Sequence, residues 1–297
     1  MGERASPAVY FLSDYGTEDE FVGVVHAVLH RLAPGVPVID ITHAVTPFDV
    51  GEGAATLVRS VPHLGGGVVL AVVDPGVGTA RRGVAVEVRA TAGSAAPSRS
   101  GPTGADRGDR GDGPAWFVGP DNGLLVPPVT AAGGPVQAFA LRIPDGADRW
   151  GPTFDGRDLF APVAAHLALG RDPGEVGVRI DPGSLVPAPE VPTTTVDGHT
   201  LRTESARVDR FGNVALRAGR GEIDALGLAV GGAASVEIGG SSHPARRVVG
   251  FADLRPGELG LLVDGAGQVA LVLDRARAST LVGIETAGRP VAVVRPP

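Results

Sequence analysis

Apolar positions follow two alternating rhythms in the first part of the chain. Val9–Leu12 is a short apolar run that stops at Ser13-Asp14-Tyr15-Gly16, which predicts a strand opening into a loop. Phe21, Val24, Val25, Val28, Leu29 and Leu32 then recur at helical spacing until Pro34-Gly35, predicting a helix over 21–32. Val36–Ile41 reads as a strand. Val50–Val61 reads as a helix, with Ala54, Ala55, Leu57, Val58 and Val61 on one side. Val68–Val73 is wholly apolar, as a buried strand would be, and Arg82–Val88 alternates into another. Strands that are continuously apolar and interleaved with helices predict a three-layer α/β domain with a largely parallel or mixed sheet.

The rhythm then breaks. Ala90–Pro114 is almost all Gly, Ser, Ala, Pro, Arg and Asp, and reads as a flexible surface excursion. Pattern resumes with Ala115–Val118, Val136–Ile143 and a helix over Leu159–Leu169, and Gly170–Pro192 reads as a Pro- and Gly-rich connector. Short β-like runs follow: Thr200–Asp209, Val214–Leu216, Ala234–Ile238, Val248–Phe251, Leu261–Val263, Val269–Leu273, Thr280–Ile284 and Pro290–Val294. Leu226–Val230 reads as a short helix or turn. The division this suggests is an α/β domain over 1–180 with an insertion at 90–114, a linker over 181–192, and a smaller, mostly β domain over 193–297.

Composition narrows the chemistry. The 297 residues contain no cysteine and no lysine, so all 26 basic side chains are arginine. A thiol nucleophile, a Cys-ligated metal, a disulfide framework, a Schiff-base lysine and a lysine-ended phosphate loop are therefore excluded. With 43% hydrophobic residues the chain can bury a large core, but only 4% are aromatic, so Val, Ala, Leu and Ile must build it. A net charge of -7 gives no basic field to gather nucleic acid. No apolar run approaches membrane-span length and the first residues lack a signal-peptide core, so the chain reads as a soluble cytoplasmic protein with no membrane partner.

Polar clusters stand where the apolar runs stop, which is where open α/β sheets place their sites. They are Ser13-Asp14-Tyr15-Gly16 with Asp19; Asp40-Ile41-Thr42-His43 with Pro47-Phe48-Asp49; Asp74 through Arg82; and Gly119–Gly123 with Thr153–Asp158. A carboxylate at a strand end can hold a sugar diol, and a Gly-rich turn offers N–H groups, which suits a nucleoside-like ligand. Structural readings stand beside these. Asp14 can cap a turn, Arg81 can pair with Glu87, and Asp155, Arg157 and Asp158 can form a helix cap and ion pair. His26 and His30 share an i,i+4 spacing, but with no third ligand nearby in the sequence they read as helix-surface residues rather than a metal site.

Taken in order, FLSDYGTEDEFVG, VIDITHAVTPFDV, GAATL, AVVDPGVGTARR, FVGPDNGLL, TFDGRDLFAPVAAHLALG and DRFGN resemble the S-adenosyl-L-methionine hydrolases, or hydroxide adenosyltransferases. These are relatives of the S-adenosylmethionine-dependent fluorinase and chlorinase. The resemblance runs from about Val9 to about Val214. It implies an N-terminal α/β domain and a smaller C-terminal barrel-like domain. It also implies a homotrimer with sites between one subunit's N-terminal domain and a neighbour's C-terminal domain, and a reaction that needs no cofactor or metal. In that reaction water attacks the ribose C5′ of S-adenosylmethionine, giving adenosine and methionine.

The resemblance also implies roles. Asp14 matches the carboxylate on the ribose hydroxyls, and Phe48 an aromatic packed on the ligand. Asp74 and Arg81 match two members of an Asp–Arg–His water-handling triad, and Thr153 and Phe154 fall in the ligand-contacting motif. Asp209, Phe211 and Asn213 match barrel-domain contacts to the methionine end and the adenine side, with further contacts around Asp264–Gly265 and Arg275–Ala276. One departure stands out: Asp155 occupies the place of the triad histidine, and is carried as its replacement in the water network. The 90–114 excursion is a second departure, since halogenating relatives carry an extra loop in this region. A chlorinase, and a catalytically weak S-adenosylmethionine- or adenosine-binding protein, therefore remain alternatives. Asp74 and Arg81 favour water as the nucleophile, because a halide is not served by a facing carboxylate.

Overall fold

The computed structural model describes residues 7–88, 115–143, 151–190 and 192–296. The 90–114 excursion lies outside the described residues. The chain divides into two compact units, Met1–Pro189 and Glu190–Pro297.

The first unit is built on seven strands: β1 (Ala8–Ser13), β2 (Val38–Thr42), β3 (Gly67–Val72), β4 (Gly83–Val88), β5 (Trp116–Pro120), β6 (Pro135–Leu141) and β7 (Gly177–Ile180). Their order is β2-β1-β3-β5-β4-β6-β7. The pairings β2–β1–β3–β5 are parallel, and β4, β6 and β7 add on antiparallel, so the sheet is mixed.

Period-two alternation sorts the side chains of this sheet into two cores. Val9 and Phe11 of β1, with Val68, Leu70 and Val72 of β3, pack with Val25 and Leu29 of α1 (Phe21–Leu32). A second helix of that layer contributes Val163, Ala164 and Leu167. Ala8, Tyr10 and Leu12 face the other way with Val69 and Ala71, against Ala54 and Leu57 of α2 (Val50–Ser60) and Val129 of α3 (Val126–Ala131). A sheet covered on both faces needs strands that are apolar throughout, and β1 and β3 are buried at every position. Asp49 starts α2 by accepting the Glu52 N–H at 2.8 Å. Leu159–Leu169 is not one regular helix. It begins as a π-helical turn, Gly156–Phe160, in which the Ala161 N–H reaches back to Gly156 O, and continues as α4 (Ala161–Ala168).

The second unit contains β8 (Thr195–Asp197), β9 (Thr200–Val208), β10 (Val214–Gly219), β11 (Ala233–Ile238), β12 (Ser241–Arg247), β13 (Leu259–Val263), β14 (Gln268–Val272) and β15 (Pro290–Val294). The order β10-β14-β13-β12-β11-β15-β9 closes through a β9–β10 pairing, giving a seven-stranded barrel with β8 added on β9. Leu201, Leu216, Val236, Leu261, Leu271 and Val293 fill its interior, together with Ile223 from the short helix α5 (Arg220–Ala225). Among the described residues, no helix is long and apolar enough to cross a membrane.

Several sequence expectations are corrected. Gly170–Pro192 is more than a connector: it contains edge strand β7, and Val186 beyond it donates its N–H to Asp121. Thr280–Ile284 is read as β because of its β-branched residues, yet these positions enter the helix α6 (Ala278–Val282), which Gly283 ends at φ 68°. Val248–Phe251 leaves the barrel because Asp253 Oδ2 takes the N–H groups of both Val249 and Gly250, each at 3.1 Å, and turns the chain. Strands β8 and β12 and helix α3 were not foreseen. Leu226–Val230 follows α5 as turns.

Candidate active site

Parallel strands β1 and β3 end side by side, so the residues that follow each of them share one end of the sheet. Asp14 follows β1, and Asp74 comes two residues after β3. From Asp74 the chain makes two tight turns: the Val77 N–H donates to Asp74 O and the Thr79 N–H to Gly76 O, each at 3.2 Å. Gly78 takes φ 78°, a conformation that suits glycine. These turns carry Arg81 back over Asp74.

Arg81 Nη2 donates to Asp74 Oδ2 at 2.5 Å and to Asp155 Oδ2 at 2.8 Å, so one guanidinium nitrogen holds both carboxylates. All three side chains are nearly buried. The guanidinium carbon also lies over the Phe160 ring, 5.4 Å from its centroid. The Arg81–Glu87 alternative is not formed; Glu87 takes the Gln137 amide instead. Arg157 does pair with its neighbour Asp158, as the cap-cluster reading has it, but Asp155 makes no side-chain cap. Asp74 Oδ1 is buried and makes no well-aligned hydrogen bond among the described residues, with the Gly76 N–H beside the carboxylate, which leaves it open as an acceptor. Burial raises the Asp74 pKa; Arg81 opposes that, Asp155 adds to it, and the net direction is up.

Asp14, Phe48, Asp74, Thr153 and Asp155 line one cavity of about 240 Å³. Asp14 Oδ2 accepts the Phe48 N–H at 2.9 Å. Phe48 stands 72% exposed at φ 70°, a strained backbone for a side chain of that size. Phe154 does not line the cavity. It stands behind it, edge-on to Tyr15 and Phe21 at 5.7 and 5.2 Å and under Arg157.

Tyr15, Phe21, Pro47 and Val77 also line the cavity and were not assigned from sequence. Tyr15 follows Asp14 directly and Phe21 opens the next helix, so adjacency to an assigned carboxylate was the available signal. Burial, with Asp14, Asp74 and Asp155 adding to it, pushes the Tyr15 phenol far above its ordinary value and keeps it neutral. Gly156 is required here, since a Cβ would overlap the Tyr15 hydroxyl.

Asp209, Phe211 and Asn213 belong to the barrel unit. Asp209 Oδ1 accepts the N–H groups of Phe211 and Asn213, and Oδ2 accepts the Asn213 amide, so the three form one turn that presents Phe211 76% exposed. They border surface depressions whose rims also include Asp264–Gly265 and Arg275–Ala276.

His26 is not isolated. The fold brings it within ligand distance of Asp40 and His43, while His30 stays outside the group. Asp40 and His43 come from 14 and 17 residues along the chain and are brought alongside by β1–β2 pairing.

A mixed α/β sheet with a carboxylate-lined cavity at its strand ends, followed by a closed β-barrel, defines the class of protein. The chain belongs to the SAM hydroxide adenosyltransferase family: the family's N-terminal domain matches residues 9–93 and 112–177, and its C-terminal domain residues 204–290. It is 42% identical over 286 residues to an (R)-S-adenosyl-L-methionine hydrolase of Salinispora tropica, covering 96% of this chain and 97% of that one. A fluorinase of an Actinoplanes species is more distant, at 31% identity over 77% of each chain. A crystal structure of an uncharacterized conserved protein from Thermotoga maritima superposes with a TM-score of 0.80 at 30% identity, covering 97% of this chain and all of that one.

Proposed function

We propose that this protein hydrolyses S-adenosyl-L-methionine to adenosine and L-methionine, and that its substrate is the (R) epimer at sulfur named for the Salinispora relative. The observation that carries this reading is the Arg81-held carboxylate pair, Asp74 and Asp155, in the same cavity as Asp14. A water oxygen attacks ribose C5′, the C5′–S bond breaks, and its electron pair returns to sulfur as the neutral thioether of methionine. The sulfonium leaves without protonation. The proton lost is the attacking water's, and the free oxygen of Asp74 accepts it. Arg81 fixes Asp74 through its other oxygen, and Asp155, in the place of the histidine expected from the resemblance, completes the water network. Asp14 holds the ribose hydroxyls, Phe48 packs on the ligand, and Thr153 contacts it.

Charge supports water over halide. Three carboxylates against one guanidinium attract a cationic sulfonium and repel an incoming chloride or fluoride. The chemistry takes no cofactor. In this reading the enzyme works in the cytoplasm as a homotrimer, in which the barrel of a neighbouring copy brings Asp209, Phe211 and Asn213 to the methionine end and the adenine side. The rings of Phe48 and Phe211 are exposed and so available to a ligand or a neighbouring copy, which is consistent with it.

The test is incubation with each sulfur epimer of S-adenosylmethionine, with and without high chloride, followed by product identification. Adenosine and methionine in both salt conditions are expected, from the (R) epimer. A 5′-chloro nucleoside would overturn the reaction, tight binding without product would demote the protein to a binder, and a monomer by light scattering would remove the shared site.

A further inference from the structure

We propose that His26, Asp40 and His43 form a binding site for a zinc-class divalent transition metal, separate from the cavity described above. His26 Nε2 lies 2.8 Å and His43 Nε2 3.1 Å from the same oxygen, Asp40 Oδ1, and the three ligand atoms all fall within 4.8 Å of one another. A tetrahedral zinc with bonds of about 2.0–2.2 Å sets its ligands roughly 3.3 Å apart, so small shifts open these contacts around an ion. Two imidazoles and one carboxylate are the donor set that zinc and its neighbours in the transition series take, with a fourth position left for water. His26 and Asp40 are each partly exposed, which gives an ion a route in.

A hydrogen-bonded His–Asp–His chain is the competing account; it fits His26 well and His43 only through a poorly aligned contact. The His43 ring is almost wholly buried, and its Nε2 makes no aligned hydrogen bond although it stands close to Asp40. Its other nitrogen, Nδ1, is 2.8 Å from Ser13 Oγ. With the Nδ1 proton given to Ser13, Nε2 carries a lone pair 3.1 Å from the Asp40 oxygen that His26 also meets, and a second ring nitrogen held by hydrogen bonding is the outer-sphere arrangement that orients metal-binding histidines. Phe11 packs edge-on against the ring at 4.6 Å and holds its direction.

The site joins α1, β2 and the end of β1. Ser13 precedes Asp14, and the Gly16 N–H donates to His43 O at 2.8 Å, so an ion here braces the loop that carries Asp14. None of the three ligands lines the cavity, so the ion is no part of the chemistry there.

The experiment uses the untagged, chelator-stripped full chain, titrated with zinc by calorimetry and with cobalt by visible absorption, beside His26→Gln, Asp40→Asn and the control His30→Gln. One equivalent of zinc, a tetrahedral cobalt band and a zinc-dependent rise in Tm are expected for the parent and the control. Affinity should fall at least about ten-fold in the two ligand variants. Histidine ring NMR should show His43 bound through Nε2 with its proton on Nδ1. No zinc binding at sub-millimolar concentration, or binding undiminished in both ligand variants, overturns the site and leaves a hydrogen-bonded chain in its place.

Discussion

The carboxylate of Asp14 holds the backbone of Phe48, 34 residues away, through a 2.9 Å hydrogen bond from the Phe48 N–H to Oδ2. One oxygen of the proposed ribose ligand therefore also fixes the residue proposed to cover that ligand, and Phe48 keeps a left-handed backbone that a phenylalanine does not favour.

That strain predicts a separation of stability from binding. Phe48→Gly relieves the left-handed backbone, so the protein should be as stable as the parent or more stable by up to about 1 kcal/mol. The KM for S-adenosylmethionine should nevertheless rise, on the order of ten-fold, as a packed aromatic is lost. Thermal melts and steady-state kinetics check it, and an unchanged KM would count against Phe48 as a ligand contact.

Asp74 should set the acidic side of the pH–rate profile. Because its pKa is raised, it keeps its proton to higher pH than an ordinary carboxylate, and the base form is lost sooner as pH falls. The acidic limb of kcat/KM should therefore lie above the usual carboxylate pKa of about 4. Asp155→Asn removes one of the charges that raise it, so the limb should move to lower pH, whereas Asp74→Asn should cut kcat by about 10²–10⁴-fold.

Asp155→His restores the residue expected from the resemblance. Adenosine release should persist, with an added titration near the imidazole value of about 6.5. Release by the histidine variant alone, with none from the parent, would mean that Asp155 disables the site.

Removing Arg81 leaves two nearly buried carboxylates facing each other. Arg81→Ala should cost about 3–5 kcal/mol at neutral pH by denaturant unfolding. The sign with pH follows from the raised carboxylate pKa: the penalty is present while both groups are charged and is relieved as pH falls and one takes a proton. A loss that does not depend on pH would point to lost packing on Phe160 instead.

Gly156→Ala places a methyl group against the Tyr15 hydroxyl, whose ring is held by Phe21 and Phe154. Stability should drop by about 1–3 kcal/mol and activity should fall with it. Gly156→Ala combined with Tyr15→Phe should recover part of both.

What could be read from the chain follows physical lines. Strands β1 and β3 are buried at every position and almost wholly apolar because both faces are covered, and Asp74 and Arg81 are seven residues apart, so turn chemistry alone brings them together. β12, SSHPARR, shows no apolar alternation, because its pairing in a closed barrel comes from backbone bonds to β11 and β13. β7 is a short, mostly exposed edge strand beside Pro and Gly, so its sequence looks like a connector. The His26–Asp40–His43 group was invisible for another reason: it depends on strand register, which no local spacing encodes.

The π-helical turn at Gly156–Phe160 gives the site an unusual dependence on chain length. Such a turn holds one residue more than an α-helical path would, and each residue advances a helix by about 100°. The extra residue lets Phe160, Val163, Ala164 and Leu167 face the sheet while Asp155, just upstream, faces Arg81. Deleting one residue within the turn would leave a regular helix and an intact core face, yet rotate position 155 away from its arginine. Which side chain meets Arg81 is thus set by a count as well as by a choice of residue, and a single deletion could exchange it without any substitution at 155.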